Sequence, residues 1–267
     1  MILRLGTFGH QYAMSCFSFL SQCCVTASLV LAGGVANAAS PEWETPPVSH
    51  KDVKPYFDAR SLYTLVLPPP PLPDSATDRD DVAAVMLRQQ VDAARRQAAE
   101  LDGKLLYDRF ADVFGQPVRR DVAPALVQLL NRAVRQVSGP AFAAKDVFRR
   151  LRPYQRLQLS HVCGKTEVKP DPDSLKRTSY PSGHTAYGWT TALVLARVAP
   201  DKAQALLQRA VEYADSRVIC GMHFPSDVEA GRQLATAVVA HLDNLPEFQR
   251  DLEAARAELA AALAAKP

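Results

Sequence analysis

The sequence predicts an all-α protein, on three observations. Apolar residues recur at helical spacing in segment after segment, no segment alternates convincingly as a strand, and proline, glycine and capping residues stand where helices should begin and end. Of the 267 residues, 48% are apolar and 22% charged, an ordinary balance for a globular core. Lys and Arg number 31 against 28 for Asp and Glu, a formal charge of +3, which gives no general case for nucleic-acid binding or a polybasic membrane surface. Any positive charge that matters must be local.

Residues 1–38 read as a cleaved signal peptide. The apolar run Cys23 to Ala32 is followed by Gly33-Gly34-Val35-Ala36-Asn37-Ala38, with cleavage expected after Ala38. That run is shorter than the roughly 20 residues a spanning helix needs. Arg4 is the only charge ahead of it, and Met14 offers a second start. The expected location is periplasmic or secreted. Cys16, Cys23 and Cys24 leave with the leader, so Cys163 and Cys220 remain, either as one disulfide or as two buried thiols.

Residues 39–76 are proline-dense, with Pro46-Pro47, Pro55 and Pro68-Pro69-Pro70-Pro71-Leu72-Pro73, and should lie extended over the surface. One all-helical domain is expected over 77–267. Thr77-Asp78-Arg79-Asp80 reads as a helix start, followed by a long helical pattern from 81 to about 114. Leu126, Val127, Leu129, Leu130, Val134 and Val137 mark the next helix. Ser138-Gly139-Pro140 should break it, and Phe142 to about Leu151 should resume it. After a polar loop from Cys163 to Tyr180, helical patterns recur at about 183–199, 201–216, 227–243 and 246–265. None after the leader is long and apolar enough to cross a bilayer, so no stable membrane insertion is expected.

The chain is organised around Tyr180-Pro181-Ser182-Gly183-His184, which is followed at once by the helix-like run Thr185 to Ala196. Ser182 is a good N-cap, Gly183 lets backbone approach a ligand, and the free amides of a helix start attract anions. His184 adds a titratable group in the first turn. On this stretch alone, ordinary capping is the commoner explanation.

Two further clusters bear on it. Lys145 and Arg152 are seven residues apart, two helical turns, so a helix reaching Arg152 would point both to one face. Arg149 and Arg150, between them, read as solvated surface charges. Downstream, Ser226 and Glu229 have capping-box spacing, which places His223 just before a helix and Asp227 in its first turn.

Together, Lys145-x6-Arg152-Pro153, Pro181-Ser182-Gly183-His184 and Ser216-Arg217-x5-His223-x3-Asp227 resemble the three-part signature of the type 2 phosphatidic-acid phosphatase superfamily, shared with vanadium haloperoxidases. Within it, the Leu67-Pro68-Pro69-Pro70-Pro71 run, the Cys163-Gly164-Lys165 loop and Ser179-Tyr180 make the chain most similar to the class A bacterial non-specific acid phosphatases. The detailed likeness spans roughly residues 60–241.

That resemblance implies a helical bundle and a metal-free, cofactor-free acid phosphatase acting on small phosphate monoesters with broad tolerance. It implies His223 as nucleophile, Asp227 orienting its ring, and His184 as general acid and then base. Lys145, Arg152, Ser182, Gly183 and Arg217 would bind phosphate, as the charge on three equatorial oxygens of a transferring phosphoryl group requires. Phosphate transfer to another alcohol is implied as a side activity, no nucleic acid is expected as a partner, and a homo-oligomer is left open. His161 and His50 fit no motif position. A haloperoxidase is disfavoured because such chains are much longer, and a lipid phosphatase because spanning helices are absent.

Overall fold

In a computed structural model, residues 52–115, 123–166 and 169–265 are described. The expected signal peptide and the start of the proline-rich segment lie outside them. Among the described residues the regular elements are helices and no strand forms. They are α1 (Tyr63–Val66), α2 (Ala76–Arg88), α3 (Ala93–Asp102), α4 (Asp108–Ala111), α5 (Pro124–Phe148), α6 (Pro153–Arg156), α7 (Gly183–Val198), α8 (Ala203–Ile219), α9 (Pro225–Leu242) and α10 (Pro246–Ala264). None is long and apolar enough to cross a membrane.

α7 is the central helix, packed against α5, α8, α9 and α10. Its sequence is apolar on nearly every side because it is surrounded: Ala186, Ala192, Val194 and Leu195 are all buried. Leu126, Leu130 and Val134 of α5, Leu234 and Val238 of α9, and Phe248 and Leu252 of α10 join it in one core. α8 approaches closely because position 188 is glycine; a Cβ there would lie 2.5 Å from the Tyr213 ring. After the single turn of α1, residues 67–72 carry no regular element and Pro73 enters a turn before α2. The Tyr180 hydroxyl donates to the Pro68 carbonyl at 2.7 Å, so the run lies beside the stretch that opens α7.

Four local expectations need correction. α5 runs unbroken through Ser138-Gly139-Pro140. Proline inside a helix removes one amide and costs about 3 kcal/mol, but α5 is buried on both sides of it, at Val134 and Val137 before and Ala141 and Ala144 after. The pattern over 81–114 is three helices and a short 3-10 turn rather than one. Asp92 caps α3 by accepting from the Arg95 amide, 2.7 Å, and Gln89 leaves the helix to donate to the Ile219 carbonyl, 3.1 Å. The first of those helices starts at Ala76, capped by Ser75, ahead of Thr77. Finally, α5 stops at Phe148, where Arg149 takes a left-handed conformation with φ 49°. Lys145 and Arg152 therefore do not share a helix; Arg152 is the N-cap of α6.

Candidate active site

The ends of α5 and α8 and the starts of α6, α7 and α9 converge on one place. Ser182 caps α7, its hydroxyl accepting from the Thr185 amide at 3.3 Å and from the Thr185 hydroxyl at 2.9 Å. The Tyr180-Pro181 peptide is cis. Lys145, in the last turn of α5, is 6% exposed. Its ammonium donates to the Thr178 carbonyl at 2.6 Å and to the Pro181 carbonyl, and so lies under the start of α7. Arg152 reaches across from α6, its Nη1 3.2 Å from the Met222 carbonyl and 3.4 Å from Nε2 of His223. Arg217, in the last turn of α8, is 4% exposed and His223 only 1%.

Polar atoms are left over here. Nε and Nη1 of Arg217 and Nδ1 of His223 are buried without a hydrogen-bond partner. Leaving a charged donor buried and unsatisfied costs at least about 1–3 kcal/mol, so such groups persist where something else satisfies them. An anion with several oxygens is the chemical match for a guanidinium with two free N–H edges.

The electrostatics agree. Burial first, then Arg217, Arg152 and Lys145, push His184 down to about 3. A hydrogen bond to the Gly103 backbone opposes the shift. His223 is driven well below its usual range by burial, then by Arg152, Lys145 and Arg217. Burial and Arg152 bring Lys145 down to about 7, with Asp227 opposing, and burial brings Arg217 down to about 10. Too many positive groups compete for too little solvent, and a bound dianion would oppose the part of each shift that the neighbouring cations cause.

Asp227 is wholly buried at the start of α9. Its Oδ2 lies 3.7 Å from Nδ1 of His223, an ion-pair distance beyond a hydrogen bond. The carboxylate is held by other donors: Ser179 Oγ at 2.6 Å and the Phe224 amide at 2.8 Å on Oδ2, and Arg150 Nη1 at 2.8 Å on Oδ1. The cap of α9 is thus Phe224 with Asp227 reaching back to it, not Ser226 with Glu229. Ser226 is taken by Asp81, and Glu229 pairs on the surface with Arg232 at 3.2 Å.

Arg150 is the residue the sequence reading misplaced. It is 8% exposed rather than a surface charge, and it pairs with Asp78, Asp81 and Asp227. The available signal was Asp78 and Asp81, three apart and so on one face of a helix, which need a cation if that face is buried. Arg149 is exposed, as expected. Gly103 was also missed. It ends α3, where a Cβ would stand 2.9 Å from Arg217 Nη1.

Cys163 and Cys220 are joined by a disulfide. His161 lies beside it, its Nε2 3.4 Å from Glu100 Oε1. Glu100, His161 and Cys163 are close enough to suggest a metal group, but a disulfide sulfur is not a thiolate ligand, so the set does not fit one. His50 lies outside the described residues.

A family model for the PAP2 superfamily matches residues 124–249, the span from the start of α5 into α10. The chain is 36% identical over 201 residues to a non-specific acid phosphatase of Providencia stuartii, covering 73% of this chain and 79% of the relative. An acid phosphatase of Zymomonas mobilis is 33% identical over 236 residues, covering 86% of both chains. A non-specific acid phosphatase of Salmonella typhimurium is 36% identical over 201 residues, covering 72% and 78%. With these matches spanning α5 to α9 and every corner of the cationic cradle, the chain belongs to the PAP2 superfamily, among its class A acid phosphatases.

Proposed function

We propose that this protein is an exported, periplasmic or secreted phosphatase that hydrolyses a broad range of phosphate monoesters, without a metal, through a phosphohistidine intermediate. The observation that carries the reading is the orientation of His223: Nε2 faces the Arg152 guanidinium at 3.4 Å, while Nδ1 faces the Asp227 carboxylate at 3.7 Å. A ring held neutral by burial and three cations, with one nitrogen toward the anion site and the other toward a carboxylate, suits a nucleophile.

Phosphate oxygens take the free N–H groups of Arg217, the Arg152 guanidinium, the Lys145 ammonium and the amides at the start of α7. Nε2 of His223 attacks phosphorus as the bond to the ester oxygen breaks. His184 protonates that oxygen, then removes a proton from the water that attacks phosphorus and releases Nε2. His184 must carry a proton for the first step. Its low value in the free site rises when the phosphate dianion offsets Arg217 and Arg152, which favours an acid optimum. An alcohol in place of water gives phosphate transfer. The cradle grips only the phosphoryl group, which supports tolerance of the remainder of the substrate.

The test is turnover of a panel of phosphomonoesters by the wild type and His223→Ala, with acid-quenched trapping of phosphohistidine and a parallel assay in chelator. Loss of turnover and of the trapped intermediate in a folded variant, with chelator harmless, is expected. Near-normal turnover by folded His223→Ala overturns the mechanism, and chelator inactivation overturns the metal-free reading.

A further inference from the structure

One buried cation has no part in that mechanism. Arg150 sits just past the end of α5. Its Nη1 donates to Ser226 Oγ at 2.7 Å and to Asp227 Oδ1 at 2.8 Å. Its Nη2 donates to Asp81 Oδ2 at 2.9 Å and Asp78 Oδ1 at 3.2 Å, and the guanidinium stands over the Phe224 ring at 4.3 Å. Its carbonyl accepts from the Ser179 amide at 3.0 Å, and Ser179 in turn donates to Asp227 Oδ2 at 2.6 Å. Arg150 thus reaches both oxygens of Asp227, one directly and one through Ser179.

We infer that Arg150 is a positioning residue for the reaction, fixing the Asp227 carboxylate so that the Nδ1 proton of His223 stays on the ring throughout the cycle. The inference rests on the phosphohistidine reading above. That carboxylate already accepts a charge-assisted bond from Arg150 and hydrogen bonds from Ser179 and the Phe224 amide, which occupy its lone pairs and fix its direction. In the first step the Nε2–P bond forms and the P–O bond breaks, its electrons going to the leaving oxygen, which takes the His184 proton. In the second, water oxygen attacks phosphorus, its proton goes to His184, and the P–N electrons return to Nε2. If Nδ1 keeps its proton, Nε2 leaves as neutral imidazole. If Asp227 takes it, the leaving group is an imidazolate and breakdown of the phosphoenzyme slows.

The charged groups around this pair come from several elements. Asp227 also acts on Lys145 of α5, Arg152 at the start of α6 and the Tyr180 phenol. Asp78 and Asp81 of α2 face Arg150, and Arg156 of α6 shares Asp78, at 2.8 Å. Removing Arg150 alone leaves three buried carboxylates with one fewer cation, so the single variant can fail to fold for that reason. Asp81→Asn restores the balance.

The experiment compares wild type, Arg150→Lys, Arg150→Met and Arg150→Met/Asp81→Asn, with folding followed by circular dichroism. In the folded Met variants kcat should fall about 10- to 100-fold, the loss of the one charge-assisted hydrogen bond to Asp227, with KM within about twofold. Phosphoenzyme breakdown should slow more than its formation, and Arg150→Lys should recover part of kcat. A folded double variant with wild-type kcat and phosphoenzyme breakdown rate overturns the inference. So does a nitrogen NMR spectrum of the vanadate-bound wild type showing Nδ1 of His223 without its proton, whichever variants fold. If instead wild type yields no phosphohistidine, the reading beneath fails; with phosphohistidine intact and the Arg150 variants normal, only this inference fails.

Discussion

The amide of Ser182 donates to the backbone carbonyl of Asp227 at 2.8 Å, so the residue that caps α7 is tied to the carboxylate residue that opens α9. The two helices meet this closely because position 231 is glycine. A Cβ there would lie 2.6 Å from the Ser182 carbonyl and 3.2 Å from Cβ of Thr185. Backbone cannot step aside as a side-chain end can, so Gly231→Ala should cost about 1–3 kcal/mol in stability. It should also lower kcat by shifting the start of α7. Urea unfolding and turnover of the same preparation check both.

Gly103 meets Arg217 rather than backbone. A Cβ there stands 2.9 Å from Nη1, so the guanidinium end must shift to admit it, which disturbs its alignment with phosphate oxygens. Gly103→Ala should leave the fold intact and reduce kcat/KM about 10- to 100-fold. Steady-state kinetics, with inorganic phosphate as a competitive inhibitor, should show weaker inhibition in parallel.

The depressed histidines fix the sign of a pH effect. His184 falls from 6.5 to about 3 on folding and His223 falls well below 6.5, so the unfolded chain binds more protons than the folded one at acid pH. Their contribution is neutral above about pH 6.5 and turns unfavourable as pH falls from there toward about 3. Lys145, brought from 10.5 to about 7, adds a cost that grows as pH falls between those values and is constant below. Bound phosphate relieves all three. Tm of the free protein should fall on acidification, phosphate should raise it more at about pH 5 than at about pH 8, and His184→Gln should flatten the fall.

The Cys163–Cys220 disulfide closes a loop of 57 residues carrying Thr178, Ser179 and the α7 start. Cross-links of this kind contribute about 2–4 kcal/mol. Cys163→Ser/Cys220→Ser should lower the urea midpoint accordingly. It should also reduce kcat/KM, because Cys220 lies three residues beyond Arg217. A variant with unchanged midpoint and kinetics contradicts this.

What was legible in the sequence followed the range of the forces involved. α7, α8, α9 and α10 were placed within a few residues because helical periodicity and capping at Ser182 are local. Pro140 misled, since its local cost is outweighed by burial along α5 that no local pattern shows. Arg150 misled for the same reason. Lys and Arg are usually solvated, and only the approach of α2, far away in sequence, brings Asp78 and Asp81 to it. The His223-to-Asp227 spacing was legible, whereas the donors that actually hold Asp227 come from Arg150 just past the end of α5, the loop before α7 and the backbone of Phe224.

By itself, then, the sequence determined the helical class and the set of cations and histidines that the fold gathers, because helix periodicity, caps and their spacing are written along the chain. The tertiary structure alone decided that Lys145 and Arg152 reach one site from different helices, and that Arg217 keeps unpaired N–H groups there. It also decided that cations from α5, α8 and the start of α6 gather around the start of α7. Those outcomes depend on desolvation and on contacts between distant segments, which exist only once the helices have packed.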